Sequence, residues 1–227
     1  MLFRWGFESF VRIPPVATGN FSPMGRIISW EERLLNQQYM YEIMIQLYQK
    51  IKQLTILKLF IENPHNSYYL RESARLLKMD PMTVKRALTL FVADEILLKN
   101  EEKNQILYKA NIDSLAFRYL KISYNLSWLQ KKGVPEFIQH HMNTVTSILL
   151  FGSYAKGEND AESDVDMLTI SLSKNIPVAE LSKLLKRDVN LINFTPAQWS
   201  QQSKTNKAFY LDVILDGIVV YGTKPVV

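Results

Sequence analysis

Residues 147–169 read SILLFGSYAKGENDAESDVDMLT, and this stretch decides the fold of the 227-residue chain. An apolar run, Ile148 to Phe151, predicts a buried strand that ends at Gly152-Ser153. After a short polar segment, Ser163-Asp164-Val165-Asp166 begins a second apolar run, which predicts a second strand. The stretch therefore predicts two core strands joined by a polar connection.

Two carboxylates stand at the start of the second predicted strand. Residues two apart on a strand point to the same face, so Asp164 and Asp166 should lie side by side. Adjacent carboxylates repel each other unless a cation lies between them, and a divalent metal ion suits such a pair. The Gly152-Ser153 turn offers backbone N–H groups and a hydroxyl to a phosphate. The sequence thus predicts a metal site beside a phosphate site.

Three other interpretations of the stretch fit less well. Gly152 and Gly157 have the spacing of a P-loop, but Glu158-Asn159 stand where lysine and a hydroxyl residue are needed. A calcium loop is excluded because Thr169 stands where that loop needs glycine. A solvated acidic turn is disfavoured because the two carboxylates stand at the start of an apolar strand.

The order of these residues resembles the nucleotidyltransferase superfamily that includes DNA polymerase beta, and in particular its small, minimal members from archaea and bacteria. The family pattern is a strand, Gly-Ser, and a spacer that ends in Ser-Asp-x-Asp. Here it reads Gly152-Ser153 and then Ser163-Asp164-Val165-Asp166, with Tyr154, Lys156 and Gly157 also in family style. The resemblance covers roughly the last hundred residues, which is the size of one small domain.

The resemblance implies a fold and a chemistry. The fold would be a mixed sheet flanked by helices. Asp164 and Asp166 would hold Mg²⁺ or Mn²⁺, and Gly152, Ser153 and Lys156 would bind the phosphates of a nucleoside triphosphate. The reaction would transfer a nucleoside monophosphate to a protein or nucleic-acid acceptor. Resemblance to the minimal enzymes also suggests an antitoxin-like protein that adenylylates a helical, toxin-like partner.

Active members of the superfamily normally carry a third acidic residue on a neighbouring strand. The matching segment here is Val189-Asn190-Leu191-Ile192, so that position is Asn190, which offers an oxygen but neither a charge nor a base. Asp188 lies two residues earlier on the same strand face and is the candidate substitute as a catalytic residue; the alternative is a solvated residue at the start of the strand. Asp212 and Asp216 lie on the last predicted helix and are expected at the surface.

The composition bounds the compartment and the partners. The chain has no cysteine, so it has neither disulfides nor a thiolate zinc site, which suits a cytoplasmic location. No apolar run is long enough to span a bilayer, so no membrane association is expected. The net charge of +5 permits nucleic-acid binding without requiring it.

The N-terminal part falls into two segments. Residues 1–29 have several Pro and Gly and no clean period, which predicts an irregular arm; its aromatic residues could dock on a partner, or the true start could be Met24 or Met40. Residues 30–53 have an apolar stripe at helical spacing, which predicts a helix. The alternatives for that stripe are packing on its own chain and pairing in a homodimer.

Residues 54–112 resemble a winged helix-turn-helix domain of the kind found in archaeal transcription regulators. Three helices are predicted at 54–62, at 70–77 and after Asp80-Pro81, followed by short strands near 96–98 and 106–108. The resemblance implies that the third helix enters the major groove of DNA. The residues expected to contact DNA are Thr83, Lys85 and Arg86 on that helix and Lys99 and Lys103 in the wing, with Met82, Arg71 and Arg75 nearby.

The whole chain is thus predicted to be α+β, with an N-terminal winged helix-turn-helix followed by a polymerase-beta-like nucleotidyltransferase domain. A connecting helix is expected at 113–132 and the nucleotidyltransferase domain at 133–227. Three functions compete: a metal-dependent nucleotidyltransferase, a DNA-binding regulator whose degenerate transferase domain senses a nucleotide, and a protein-interaction scaffold. Asn190 motivates the second, and the mixed charge of 54–112 motivates the third.

Overall fold

The structure is a computed structural model, which describes residues 51–102, 105–173 and 177–227. The predicted arm at 1–29, nearly all of the predicted helix at 30–53, and Lys103 lie outside the described residues. Within them, none of the helices is long and apolar enough to cross a membrane.

The first unit contains three helices and a small antiparallel sheet. Its elements are α1 (Lys52–Glu62), β1 (Ser67–Tyr69), α2 (Leu70–Leu77), α3 (Pro81–Ala93), β2 (Leu97–Glu102) and β3 (Gln105–Ala110). The strand order is β1-β3-β2, and both pairings are antiparallel. Asp80 begins α3 as predicted, since its carboxylate accepts a hydrogen bond from the N–H of Thr83 at 3.0 Å. The strand β1 was not predicted.

A long helix, α4 (Leu115–Lys131), connects the first unit to the second. Ser114 caps its start, as its hydroxyl accepts from the N–H of Phe117. Phe117 is buried in the core of the first unit, whereas Leu129 is buried in the core of the second. The helix is therefore built into both hydrophobic cores.

The second unit is a four-stranded mixed sheet with helices on both faces. Its elements are α5 (Val134–His141), β4 (Ser147–Leu150), α6 (Gly152–Lys156), β5 (Val165–Ile170), α7 (Val178–Leu185), β6 (Val189–Phe194), α8 (Pro196–Thr205), α9 (Lys207–Asp216) and β7 (Ile218–Gly222). The order is β6-β5-β4-β7, with β5 parallel to β6 and the other two pairs antiparallel. The predicted mixed sheet flanked by helices is confirmed.

Alternating residues on the central strands build two separate cores. On one face Leu150 and Met167 pack with the end of α4 and with α5, α6 and α7. On the other face Leu149 and Leu168 pack with Trp199 of α8 and with α9. Asp166 precedes Leu168 by two residues, so its side chain lies on the face that α8 and α9 cover.

Candidate active site

The parallel pair β5–β6 brings the two polar strand positions together. Asp166 stands opposite Asn190 in the register, and the Asn190 Nδ2 donates a hydrogen bond to the Asp166 Oδ1 at 3.1 Å. Asp166 is half-buried, whereas Asp164, one residue before the start of β5, is exposed. One carboxylate is thus fixed by its neighbour, and the other faces solvent.

Gly152 lies directly against the carboxylate of Asp166. A Cβ at this position would come within 2.3 Å of the Asp166 Oδ2, and the backbone has a φ of +68°. The N–H of Phe151 also donates to the main-chain oxygen of Asp166 at 3.0 Å. Only glycine fits both the left-handed backbone and the space, so the Gly152-Ser153 turn is held next to the carboxylate pair.

Asp188, the candidate third acid, flanks the pair at the edge of the sheet. Its main-chain oxygen accepts from the N–H of Val165 at 2.9 Å, which puts it level with Asp164, and its side chain is exposed. Nowhere in 51–102, 105–173 or 177–227 do three His, Cys, Asp or Glu side chains form a group that could hold a metal ion. A catalytic role for Asp188 stays a prediction.

Asp164 and Asp166 are a donor set of the kind that Mg²⁺ or Mn²⁺ binds. Mg²⁺ in nucleotide sites is held by one or two carboxylates together with phosphate oxygens and waters. Asp164 and Asp166 supply two carboxylates, and one oxygen of Asp166 is engaged by Asn190. These residues therefore fit one ion shared with a triphosphate, and Asn190 adds no charge for a second.

Lys156, which is predicted to bind phosphate, pairs with two acids on α9. Its Nζ lies 2.8 Å from the Asp212 Oδ1 and 3.1 Å from the Asp216 Oδ2. The hydrogen bond to Asp212, followed by that to Asp216, raises the pKa of Lys156. Both acids lie at the surface as expected, and their pairing with Lys156 was not predicted. Their spacing of four on a helix was the available signal, since it puts them on one face.

A buried polar cluster joins α4 to the loop that leads to Asp164. The Lys121 Nζ donates to the main-chain oxygen of Asn159. The Asn125 Nδ2 donates to the main-chain oxygen of Tyr154 at 2.9 Å and to the Asn159 Oδ1 at 2.8 Å. Burial lowers the pKa of Lys121 from its ordinary value of 10.5 to about 8, and the charge of Asp160 opposes that shift. This cluster was not predicted, although Lys121 and Asn125, two polar residues four apart within an apolar helix pattern, were a signal for it.

The same loop is held at two further points by the first unit and α4. Gly157 packs so closely that a Cβ would lie 2.6 Å from the main-chain oxygen of Arg118. The Arg118 side chain lies 3.5 Å from the Glu158 carboxylate, and His65 lies 4.0 Å from that of Asp160. The loop that precedes Asp164 is therefore positioned by residues of α4 and of the first unit, which lie outside the sheet that carries the carboxylate pair.

The predicted DNA contacts lie apart from this site. Lys85 and Arg86 are exposed and Thr83 is half-exposed on the first turns of α3, and Lys99 is exposed on β2. A cleft of about 740 Å³ lies beside them, between α2, α3 and β3. Arg71, Arg75 and Lys85 line it, together with Tyr69, Glu72 and Tyr108.

Comparison with known proteins identifies the second unit. The family described as "Polymerase beta, Nucleotidyltransferase" matches residues 132–225. A protein of Methanocaldococcus jannaschii, named "Putative protein adenylyltransferase MJ0604", is 30% identical over 98 residues, which are 40% of this chain and 98% of that protein.

Two solved structures resemble the chain more remotely. The "toxin-antitoxin with AMP-PNP" is 19% identical with a TM-score of 0.32, over 42% of this chain and 74% of that one. A "possible transcriptional regulator" from Methanosarcina mazei Go1 is 19% identical with a TM-score of 0.29, over 45% of this chain and 86% of that one. The family match and the M. jannaschii relative show that the chain belongs to the polymerase beta nucleotidyltransferase family.

Proposed function

We propose that the chain is a metal-dependent nucleotidyltransferase that moves a nucleoside monophosphate from a nucleoside triphosphate to a protein or nucleic-acid acceptor. The observation that carries the proposal is the contact of the Gly152 turn with Asp166, which follows Asp164 by two residues and so shares its face of the sheet. A phosphate-binding turn held against a carboxylate pair is what transfer at the α-phosphorus of a triphosphate requires.

Each residue has a proposed role. Asp164 and Asp166 would hold Mg²⁺ or Mn²⁺, which, when bound, supplies positive charge that stabilises the triphosphate as charge develops. The backbone at Gly152 and the hydroxyl of Ser153 would bind the terminal phosphates. Asn190 would keep Asp166 oriented through its hydrogen bond. Lys156 would contribute to nucleotide binding only after leaving Asp212 and Asp216.

The bond changes of the proposed transfer require a base in addition to the metal and phosphate ligands. The acceptor oxygen attacks the α-phosphorus, the bond to the bridging oxygen breaks, and pyrophosphate leaves. The proton of the acceptor needs a base, and Asp188 is the proposed one because it stands level with Asp164 at the open edge of the sheet. A carboxamide at Asn190 cannot take that proton.

A protein acceptor is the favoured choice. The M. jannaschii relative carries the name of a protein adenylyltransferase and is matched over 98% of its length. We therefore propose ATP as the nucleotide and a helical, toxin-like partner protein as the acceptor, which would make this chain antitoxin-like.

Incubation with each of the four labelled nucleoside triphosphates tests this proposal. Every reaction contains the chain and Mg²⁺, and protein extract and RNA are supplied as acceptors in separate reactions. The label retained on macromolecules is then measured. We expect label from ATP on a protein, with release of pyrophosphate. No label on any acceptor, with metal-dependent ATP binding intact, would favour a site that senses nucleotide without turnover.

The second candidate function is DNA binding by a transcriptional regulator. We propose that 54–112 is a winged helix-turn-helix domain, that 113–132 connects it, and that 133–227 is the transferase domain. The observation that favours DNA is the cleft beside α3, where Arg71, Arg75 and Lys85 stand together. Changing Lys85 and Arg86 to alanine should weaken salt-sensitive DNA binding, whereas Lys58→Ala on α1, whose side chain pairs with Glu62, should not.

A further inference from the structure

Another cleft, of about 400 Å³, lies between the first unit and the second unit. Its walls come from the end of α1, from one face of α4, from the loop at 159–161 and from the end of α7. The volume is within the range of small-molecule sites, about 300–1,000 Å³. The aromatic and basic residues of the lining are Tyr124, Trp128, Lys132, Tyr154, Lys186 and Arg187.

This cleft, called here the junction cleft, lies on the opposite side of the sheet from the carboxylate pair. Arg187 precedes Val189 by two residues, and Val189 belongs to the core beneath α5 and α7. Asp188 and Asn190 alternate to the other face, where Asn190 contacts Asp166. Neither Asp164 nor Asp166 lines the junction cleft. The lining is therefore separate from that of the first site, although the charge of Asp164 still acts on the Tyr154 hydroxyl.

Helix α4 gives the junction cleft an acidic end and a basic end. Tyr124, Trp128 and Lys132 are spaced by four residues, so they follow one face of the helix over about 12 Å. At one end the Tyr124 hydroxyl bonds to the Glu62 Oε1 at 2.6 Å. At the other end Lys132 shares the lining with the two basic residues that follow α7.

Among the described residues, the three cations at the basic end, Lys132, Lys186 and Arg187, form no ion pair. The Asp160 carboxylate, which also lines the cleft, accepts from the Glu162 N–H and the Ser163 hydroxyl instead. Two of the three stand at helix C-termini, where a cation also compensates the helix dipole. Unpaired cations in a concave site attract a phosphate, and Arg187 can bind two of its oxygens at once.

Aromatic side chains form the middle of the junction cleft. The rings of Trp128 and Tyr154 stack at 6.0 Å with an interplanar angle of 24°. Tyr154 is buried, which raises the pKa of its hydroxyl, so its neutral ring supports the half-buried ring of Trp128. An aromatic wall beside a phosphate-binding end is the combination that a nucleotide unit fits, because its base can stack.

We infer that the junction cleft binds a nucleotide unit, with its phosphate at Lys132, Lys186 and Arg187 and its base on Trp128, which stacks on the buried ring of Tyr154. The unit is either a free mononucleotide or the end of a single strand. Because Glu62 belongs to the first unit and Arg187 to the second, the occupied cleft would tie the two units together. The inference stands apart from the proposed transfer, since no metal and neither Asp164 nor Asp166 is needed.

Equilibrium binding of AMP and of a short oligoadenylate to the full chain in EDTA tests the inference. The Asp164→Ala, Asp166→Ala variant should bind as well as the parent. Arg187→Gln and Lys132→Gln should each weaken binding by about tenfold or more, the value of one charge-assisted hydrogen bond. The matched controls Lys131→Gln and Lys183→Gln change exposed lysines on the same two helices that do not line the cleft, and they should bind normally.

The outcomes separate the sources and the alternatives. AMP binding with this variant pattern identifies a free mononucleotide, and oligoadenylate binding alone with the same pattern identifies a strand end. Absence of binding by both probes in EDTA overturns the inference. Binding that Arg187→Gln leaves unchanged also overturns it. A loss of thermal stability in Lys132→Gln and Arg187→Gln without a loss of binding overturns it too, because compensation of the helix ends alone predicts that result. Failure of nucleotidyl transfer in Mg²⁺ leaves this result untouched.

Discussion

Asn190 donates a hydrogen bond to Asp166 at 3.1 Å across the parallel strands β5 and β6. Active members of the family are expected to carry a third carboxylate at this position. Here the position is occupied by the Asn190 amide, which supports Asp166. The amide neutralises no metal charge and accepts no proton, but it fixes the orientation of Asp166. The hydrogen bond therefore orients Asp166, and a base for the proposed transfer has to be a residue other than Asn190.

Replacing this amide by a carboxylate should make stability depend on metal. In Asn190→Asp the hydrogen bond is replaced by repulsion from Asp166, and we expect a loss of about 1 kcal/mol in EDTA. Mg²⁺ should recover most of that loss by lying between the carboxylates. Thermal unfolding with and without Mg²⁺ measures both effects. Asn190→Ala, which loses the bond without gaining charge, should gain no more stability from Mg²⁺ than the parent does; equal behaviour of the two variants would contradict the assignment.

Gly152 should be needed for activity beyond its backbone conformation. Gly152→Ala puts a Cβ 2.3 Å from the Asp166 Oδ2, so the carboxylate or the turn must shift, and we expect transfer to fall by about a hundredfold. Gly133→Ala is the matched control, because its φ of +67° is nearly the same but its nearest neighbour is 3.9 Å away. Each variant should lose about 1–2 kcal/mol from the left-handed backbone alone.

Only the first variant should lose activity out of proportion to its stability. Transfer rates at saturating nucleotide, measured well below the unfolding temperature of both proteins, make the comparison. Equal activity of Gly152→Ala and Gly133→Ala would show that the contact with Asp166 has no role in the reaction.

Lys121 should give the stability of the protein a recognisable pH dependence. Burial lowers its pKa to about 8 in the folded chain against 10.5 when it is free, so between these values the unfolded chain binds more protons. Stability contributed by this group therefore rises as the pH rises from about 8 toward 10.5. The difference between the parent and Lys121→Met, followed by urea unfolding across this range, isolates the effect from other titrating groups. A difference that stays flat or falls would show that Lys121 is not desolvated.

The sequence predicted local elements well where a cap or a strong period marks them. Asp80-Pro81 located the start of α3, and the apolar runs on both sides of Gly152 located β4 and β5. The strand at 67–69 was missed because three residues carry no period, and it forms only by pairing with β3. Helix α6 was missed because its five residues lie inside a segment that is polar overall.

Long-range polar contacts were beyond sequence reasoning. Lys156 and Asp212 are 56 residues apart and meet because α6 and α9 pack in the second unit. Lys121 and Asn159 meet across 38 residues because α4 belongs to both cores. A lysine in a helix predicts a solvated side chain by default, and only the packing of two units around that helix buries this one.

Label transfer by variants of the carboxylate pair tests the central claim most directly. The parent chain, an Asp164→Asn, Asp166→Asn variant and a Glu162→Gln control are incubated with labelled ATP, Mg²⁺ and protein acceptor. Glu162 is an exposed acid two residues before the pair, so its variant should retain full transfer. We predict that the double variant transfers no label while its thermal stability in EDTA is unchanged or higher. Transfer by the double variant at the rate of the parent would contradict the account.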